Sequence, residues 1–200
     1  MDAYVLLQTE PGLAHTVMNA LVESELVDRA LCITGDADVF ARINDVSWSE
    51  LRDRLLNRLQ RVPGVVRSST SFVVPTAAVA RGVSPKFPVF HRIADAGIDG
   101  LVFVGVAAGS AREVVRSVRA IKGVLGLAVV TGEYDLIIQV QGRSIERLAT
   151  TVLQDIQTVP GVTSTSTSLI LAATPLREAK GRGRKPAARR KTRKPARRRR

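Results

Sequence analysis

Two pairs of acidic residues stand at matching places in the chain. Asp36 and Asp38 lie in the segment TGDAD, and Glu133 and Asp135 lie in TGEYD. Two carboxylates at this spacing are candidates for acid–base chemistry, which needs a proton-transfer group whose pKa is tuned near the working pH. Neither pair has a His or Lys beside it. The pattern therefore favours ligand binding or turn capping over catalysis.

The other residues that could take part in catalysis or bind a metal are few and far apart in the sequence. His15 fits the solvated side of an amphipathic helix, and His91 lies in a predicted linker without the set of ligands that a metal site needs. Cys32 lies in the apolar segment ALCIT, which is typical of a buried thiol. The chain shows neither a Walker A motif nor a glycine-rich dinucleotide loop after a strand. We therefore predict no enzymatic activity, no metal site and no cofactor.

The surplus of positive charge is confined to the C-terminal end. Fourteen of the 30 Lys and Arg residues lie in residues 177–200 beside one acid, Glu178, so residues 1–176 carry 16 basic and 17 acidic side chains. After Leu176 there is too little apolar content to offset the entropy of ordering, and Pro186 and Pro195 interrupt any long helix. We predict a nearly neutral globular body and a disordered cationic tail, residues 176–200, whose partner is a polyanion.

The body is an internal duplication. Residues 3–75 align with residues 100–172 at a constant offset of 97 without a gap. TGDAD falls on TGEYD, QRVPGV on QTVPGV, and SSTS on TSTS. Matches that recur in one register over this length indicate two copies of the same structural unit.

Each copy has the pattern β-α-β-β-α-β. The first helix is predicted to open at Pro11 in the first copy and at a capping box of Ser110 and Glu113 in the second. Two strands then flank the glycine turn at the spacing of a hairpin. The second helix ends at a Pro-Gly pair before the last strand, and its apolar residues have the same spacing in both copies: Trp48, Leu51, Leu55, Leu59 and Val62, then Ile145, Leu148, Val152, Ile156 and Val159.

This element order is that of the ferredoxin-like fold, in which two helices cover one face of an antiparallel sheet. The other face of each sheet needs cover, and two such sheets in one chain can cover each other. We predict an α+β protein of two ferredoxin-like βαββαβ domains, of the dimeric α/β-barrel type, packed as an intramolecular pseudo-dimer. The predicted domains are residues 1–75 and 100–175, joined by a linker of residues 76–99.

The segments QTEPG, TGEYD and RLATTVLQDIQTVPGVTSTST resemble the effector-binding domain, or RAM domain, of the Lrp/AsnC (feast/famine) regulators. The resemblance covers both copies, nearly all of residues 3–172. It implies that the protein binds an amino acid or a related small metabolite in a cleft between paired domains, and that it forms homo-oligomers. The usual family layout also has an N-terminal helix-turn-helix, which this sequence does not show; the tandem copy and the basic tail are additions.

The resemblance also implies which residues bind the effector. A glycine turn beside an acid offers a carboxylate for an ammonium group and backbone N–H groups for a carboxylate. The same residues would serve a turn without any ligand, because glycine supplies positive φ and aspartate caps the turn. The candidates are Thr131, Gly132, Glu133, Tyr134, Asp135 and Thr167 in the second copy, and Thr34, Gly35, Asp36, Asp38 and Thr70 in the first, where Ala37 replaces Tyr134.

The tail has the composition of a nucleic-acid-binding segment, which neutralises phosphates and releases counterions. The segment RGRKP looks like the core of an AT-hook, although Lys185 intervenes before Pro186. Composition does not separate DNA from RNA. The predicted contacts are Arg182, Gly183, Arg184, Lys185, Arg189, Arg190, Lys191, Arg193, Lys194, Arg197, Arg198, Arg199 and Arg200.

The functional hypothesis is a transcription regulator or nucleoid-associated protein that senses a metabolite and binds DNA through its tail. The alternative is a metabolite-sensing or protein-interaction module that acts on an enzyme or transporter, with the tail as a nonspecific anchor. The N-terminus lacks the order of a signal peptide, and no apolar run reaches the roughly 20 residues that span a bilayer. We therefore expect a cytoplasmic, nucleoid-associated protein without a membrane partner.

Overall fold

The structure, a computed structural model, describes residues 1–44, 46–79 and 97–175. Each copy forms the predicted β-α-β-β-α-β unit, and one short helix follows the first unit. The elements are β1 (Ala3–Thr9), α1 (Ala14–Glu23), β2 (Arg29–Ile33), β3 (Val39–Ile43), α2 (Trp48–Asp53), β4 (Val65–Val74), α3 (Thr76–Val79), β5 (Ile98–Val106), α4 (Ala111–Arg119), β6 (Val124–Val130), β7 (Leu136–Gly142), α5 (Ile145–Thr150) and β8 (Val162–Ala173).

The eight strands form one closed barrel, in the order β1-β3-β2-β8-β5-β7-β6-β4. Each copy keeps the strand order of a ferredoxin-like sheet, and two seams join the copies. At one seam β2 pairs with β8, with Leu31 opposite Ala173; at the other β4 pairs with β6, with Val73 opposite Val130. Closure removes the exposed sheet edges that two separate sheets would have. The predicted fold, two ferredoxin-like units joined as a pseudo-dimer, is confirmed.

Strand alternation divides the buried side chains into three cores. In β1, Val5 and Leu7 pack under the helices of the first copy, whereas Tyr4 points into the barrel. In β5, Val102 belongs to the helix-side core of the second copy, whereas Phe103 lies in the interior. Because successive side chains of a strand point to opposite faces, each strand serves both a helix-side core and the shared interior.

Four aromatic rings cross the barrel interior from the first copy to the second. The ring centroids of Tyr4 and Phe40 are 5.2 Å apart, those of Phe40 and Phe103 6.1 Å, and those of Phe103 and Tyr134 5.2 Å. All three pairs are tilted, within the range of distances that aromatic pairs prefer. The row of rings ends at Tyr134, in the hairpin turn of the second copy.

The starts of the first helices differ from prediction. Helix α1 begins at Ala14, and Pro11 lies in the turn before it, so the prediction that Pro11 opens the helix is wrong. In the second copy Ser110 is the N-cap residue of α4 as predicted, but its side chain makes no capping hydrogen bond. Its φ of −91° and ψ of −5° are helical rather than extended. A capping side chain normally needs an extended N-cap residue.

The second helices change their winding at the same place in both copies. Helix α2 continues as a π-helix over Arg54–Arg58, and α5 continues as one over Thr151–Ile156. The predicted apolar stripes are largely buried, but their first residues, Trp48 and Ile145, are 56% and 43% exposed. Each of these two residues opens its helix, and the ring of Trp48 still lies against Phe72 of β4, with the ring centroids 5.8 Å apart.

The predicted linker is described only at its two ends. Residues 76–79 form α3, and β5 begins at Ile98, two residues before the predicted start of the second domain. Residues 80–96 lie outside the described residues. Within the described ranges, the helices are all too short or too polar to span a lipid bilayer.

Candidate ligand pocket between the two hairpins

The β2–β3 and β6–β7 turns lie at the same end of the barrel. Each contains a glycine with positive φ, +104° at Gly35 and +123° at Gly132. A Cβ atom at Gly35 would stand 3.2 Å from Oγ of Ser168, and one at Gly132 would stand 3.2 Å from Oγ of Ser71. Both positions therefore need glycine for the backbone angle and for the close approach of the other copy's last strand.

The two threonines before these glycines extend the seams. The N–H of Thr34 donates to the carbonyl of Leu169 at 3.0 Å, and the N–H of Leu169 donates to Oγ1 of Thr34 at 2.9 Å. In the second copy the N–H of Thr131 donates to the carbonyl of Phe72 at 2.9 Å, and the N–H of Phe72 donates to Oγ1 of Thr131 at 3.2 Å. Both side chains thus link one copy's hairpin to the other copy's last strand.

The second acid of each pair anchors its own hairpin. Oδ2 of Asp38 accepts hydrogen bonds from the N–H of Thr9 at 2.7 Å and from its hydroxyl at 3.2 Å. Oδ2 of Asp135 accepts one from the N–H of Val106 at 2.7 Å. Thr9 and Val106 end the first strand of their copies, where the pairing shifts register. These contacts match the turn-capping interpretation.

The first acid of each pair lines a cavity of about 250 Å³ between the hairpins. Asp36 and Glu133 are exposed and lie at its rim together with Arg67. The apolar part of the lining consists of Leu6, Ile33, Ala37, Phe103 and the ring of Tyr134; the uncharged polar part consists of Gln8, Ser69, Ser166 and Ser168. The cavity therefore combines an apolar floor, hydroxyl groups and charges of both signs.

Both copies build this one cavity. Residues related by the offset of 97 line it in four pairs: Leu6 with Phe103, Asp36 with Glu133, Ala37 with Tyr134, and Ser69 with Ser166. The pocket therefore lies about the approximate twofold axis that relates the copies. The pair of Ala37 and Tyr134 breaks this symmetry, because the first copy has a small buried side chain where the second has a phenol.

Tyr134 combines a packed ring with a hydroxyl in an acidic environment. Burial raises the pKa of its phenol above the ordinary value, and the negative charges of Glu133 and Asp36 raise it further, while a hydrogen bond with Ser166 works in the opposite direction. The phenol therefore stays protonated at neutral pH. It provides a hydrogen-bond donor next to two carboxylates.

The predicted threonines near the last strands lie elsewhere. Thr70 stands opposite Val5 in the β1–β4 pair, and Thr167 stands opposite Val102 in the β5–β8 pair. Val5 and Val102 face the helix-side cores, so both threonines lie on the face of the sheet opposite the pocket. The structure brings Asp36, Glu133 and Tyr134 together and separates Thr70 and Thr167 from them.

Sequence reasoning missed most of the polar lining. Ser69, Ser166 and Ser168 alternate with the predicted threonines, so the period of two was the signal that could have found them. Gln8 donates from Nε2 to the carbonyl of Asp36 at 2.9 Å and holds the first hairpin against β1. Arg67 carries the positive charge at the rim. Apart from its place in β4, nothing in the sequence indicated that it lines a pocket.

Of the remaining predicted residues, two lie in the described part of the chain and the others lie outside it. Cys32 is buried as predicted, and burial, together with the charge of Asp38, raises the pKa of its thiol. His15 is exposed on α1, where Nδ1 lies 3.3 Å from Nδ2 of Asn19. His91 and all the predicted nucleic-acid contacts from Arg182 to Arg200 lie outside the described residues.

Comparison with known proteins identifies the family of this chain. The family model of the Lrp/AsnC ligand binding domain matches twice, at residues 2–81 and 100–179. The chain therefore belongs to the Lrp/AsnC family.

A curated relative supports this assignment. The chain is 30% identical over 151 residues to an uncharacterized HTH-type transcriptional regulator of Pyrococcus abyssi, covering 74% of this chain and 87% of the relative. Among solved structures, FFRP-DM1 is 32% identical, covers 36% of this chain and 96% of its own, and has a TM-score of 0.35. The siroheme decarboxylase NirDL is 12% identical, with a TM-score of 0.61 over 86% of this chain and 72% of its own, and shows the same fold.

Proposed function

We propose that this protein is a metabolite-responsive regulator that binds an amino acid in the pocket between its hairpins and DNA through its cationic tail. One observation carries the proposal: a chain of two Lrp/AsnC ligand-binding domains forms a cavity that both hairpins line. The regulator relative from Pyrococcus abyssi supports the same class of function.

The lining of the pocket suits a small zwitterion. The carboxylates of Asp36 and Glu133 attract an ammonium group, and Arg67 with the serine hydroxyls attracts a carboxylate. Leu6 and Phe103 offer apolar surface to a side chain. The volume of about 250 Å³ lies below the roughly 300–1,000 Å³ typical of sites for drug-sized ligands. An amino acid is of the matching size class.

The pocket favours binding over catalysis. Its charged lining consists of two carboxylates and one guanidinium, and no His, Lys or Cys belongs to the described lining. A guanidinium stays protonated at physiological pH and does not act as a general base. The likeness to siroheme decarboxylase concerns the fold, which hosts unrelated activities. We therefore propose no reaction for this site.

Assembly would couple the pocket to the tail. Leu56 and Leu153, related by the offset of 97, are each 58% exposed, which leaves an apolar side chain on the outer helical layer of both copies. We propose that copies of the chain associate, as the family resemblance implies. An assembly multiplies the number of tails, and linked weak contacts bind more strongly through effective concentration. A ligand that changes assembly would then change DNA affinity.

The experiment is a salt titration of duplex binding, followed by fluorescence anisotropy, with AT-rich and GC-rich DNA. The full chain is compared with a chain ending at Leu176, each with and without a panel of the 20 amino acids. We expect the full chain to lose roughly 10³–10⁵-fold in affinity between 50 and 200 mM salt if 6–10 phosphates are contacted. We also expect one amino acid to shift the curve, and the shortened chain not to bind.

Two outcomes contradict the proposal. If the shortened chain binds as well as the full chain, the tail is not the DNA-binding element. If an amino acid binds but no nucleic acid does, the alternative of a metabolite-sensing module acting on another protein replaces the regulator.

A further inference from the structure

The second copy carries an open groove of about 740 Å³ away from the hairpin pocket, at the end of β7 and the start of α5. Its lining includes three exposed cations, Lys122, Arg143 and Arg147. None of the described lining residues is acidic. Like charges held close together repel unless counterions or a bound anion compensate them.

The first copy shows what fills the same place when the charges are reversed. There Arg54 lies at the position equivalent to Thr151, 97 residues earlier, and Glu50 lies at the position of Arg147. Nη2 of Arg54 donates to Oε1 of Glu50 at 2.7 Å, and Nη1 donates to the carbonyl of Leu26 at 3.0 Å. Asp28 stands within electrostatic range of the same guanidinium. Arg54, together with Arg42, thus compensates the acidic groups at this place.

In the second copy the arginine is replaced by a threonine, and the residues around it are basic or apolar instead of acidic. Thr151 is short and buried, with its hydroxyl donating to the carbonyl of Arg147 at 3.2 Å, so it does not reach across the groove. Leu125 replaces Asp28, and Lys122 replaces Glu25. The groove therefore has the space that Arg54 occupies in the first copy, with walls of the opposite charge.

We propose that this groove binds a small anion of the phosphate class that carries at least two negative charges. The anion takes the space that Arg54 fills in the first copy and is held by Lys122, Arg143 and Arg147. Arg side chains bind phosphate oxygens through paired N–H groups, which suits this arrangement of guanidinium groups. The site is independent of the hairpin pocket and of the proposed amino-acid ligand.

The test uses the full chain, ¹⁵N-labelled, titrated with inorganic triphosphate at 150 mM NaCl. We expect saturable chemical-shift changes at the backbone amides of Gly123 and Gly142, which line the groove. Arg147→Glu should weaken this binding roughly ten- to hundredfold, the range for loss of a hydrogen bond to a charged group. Thr151→Met should also weaken the binding, because it fills the groove without adding a charge.

Arg116→Glu is the matched control, because it makes the same charge change on the exposed face of α4, outside the groove. It should leave triphosphate affinity unchanged. Shifts confined to residues 177–200, or an equal loss in Arg116→Glu and Arg147→Glu, would overturn the proposal in favour of general charge attraction. Shifts in the groove with duplex DNA but not with triphosphate would overturn the small anion in favour of a nucleic-acid backbone.

Discussion

The first and second copies carry the same hairpin framework and different surroundings. Thr34 in the first and Thr131 in the second make the same pair of hydrogen bonds across their seams. Asp38 and Asp135 accept the same backbone N–H group at the end of the first strand. These groups satisfy backbone atoms that closure of the barrel would otherwise leave without partners.

The copies differ where side chains face open space. Ala37 and Tyr134 stand at equivalent places on the hairpin pocket, and Arg54 and Thr151 stand at equivalent places on the outer layer. At each of these places one copy carries a larger side chain than the other. The comparison therefore separates positions that build the fold, which match, from positions where a ligand can bind, which do not.

The largest expected effect tests whether the copies unfold as one body. Phe40→Ala removes the ring at the centre of the aromatic row, where Phe40 is 1% exposed, and should lower the free energy of unfolding by about 3–5 kcal/mol. Ile137→Ala, at the equivalent place in the second copy, should cost about 2–5 kcal/mol. Denaturation is followed by circular dichroism for both copies and by the fluorescence of Trp48 for the first.

Both variants should move one common transition, because the seams join the copies through backbone hydrogen bonds. If Ile137→Ala leaves the Trp48 transition in place while the circular dichroism splits into two steps, the copies are separate folding units and the shared interior is not cooperative.

The seam threonines test how far the symmetry extends. Thr34→Val leaves the partly buried N–H of Leu169 without its acceptor, and should cost about 1–2 kcal/mol. Thr131→Val leaves the N–H of Phe72, whose bond is exposed, so water can replace the hydroxyl and the loss should be below about 1 kcal/mol. Urea denaturation of both variants measures the difference. A larger loss in Thr131→Val would show that exposure does not set the cost.

Restoring the symmetry of the hairpin pocket should weaken ligand binding. Ala37→Tyr replaces a small side chain that lines the cavity by one with a ring, and so reduces the space for a ligand. We expect at least a roughly tenfold loss of amino-acid affinity, about 1.4 kcal/mol. Calorimetric titration with the amino acid that the panel selects measures this loss. Ala120→Tyr, the same change at an exposed alanine after α4 and outside the pocket, is the control. An unchanged affinity in Ala37→Tyr would place the ligand outside this pocket.

The smallest expected effect is a change in the pKa of Tyr134. The two tyrosines of the chain are Tyr4 and Tyr134, so Tyr4→Phe leaves one phenol to follow by its absorbance near 295 nm. Its pKa should lie above the ordinary value of about 10, and Glu133→Gln should bring it down because one nearby negative charge is removed.

The raised pKa of Tyr134 also determines how the stability of the fold changes with pH. Below pH 10 the phenol is neutral in both states, and above it the unfolded chain ionises first, so the stability that Tyr134 contributes is lost as the pH rises through the pKa of the folded protein. A pKa at or below the ordinary value would mean that the phenol is solvated rather than held in the pocket mouth.

Local patterns were enough to predict the duplication and the elements of each copy. The patterns that indicate strands, hairpins and the second helices involve residues close together in the sequence. Because the two copies align at an offset of 97, each element was predicted twice. The predicted start of α1 was wrong because a proline fits the turn before a helix as well as the first position of the helix.

The pocket depended on information that no local pattern contains. Whether Ser69 or Thr70 faces the interior is decided by the register of β4 against β1, and that interior becomes a cavity only when the seams join the copies. The sequence alone thus placed Asp36 and Glu133 in two separate sites. Closure of the barrel brings them to the rim of the same one.

The measurement that tests this account most directly is a ¹⁵N NMR titration of the full chain with the amino acid that the panel selects. Our account predicts one ligand per chain, with the amides of Asp36 in the first copy and Glu133 and Tyr134 in the second shifting together along a single binding curve. Two binding events, each confined to one copy's hairpin, would contradict the shared pocket, as would shifts at Thr70 and Thr167 with none at the hairpins.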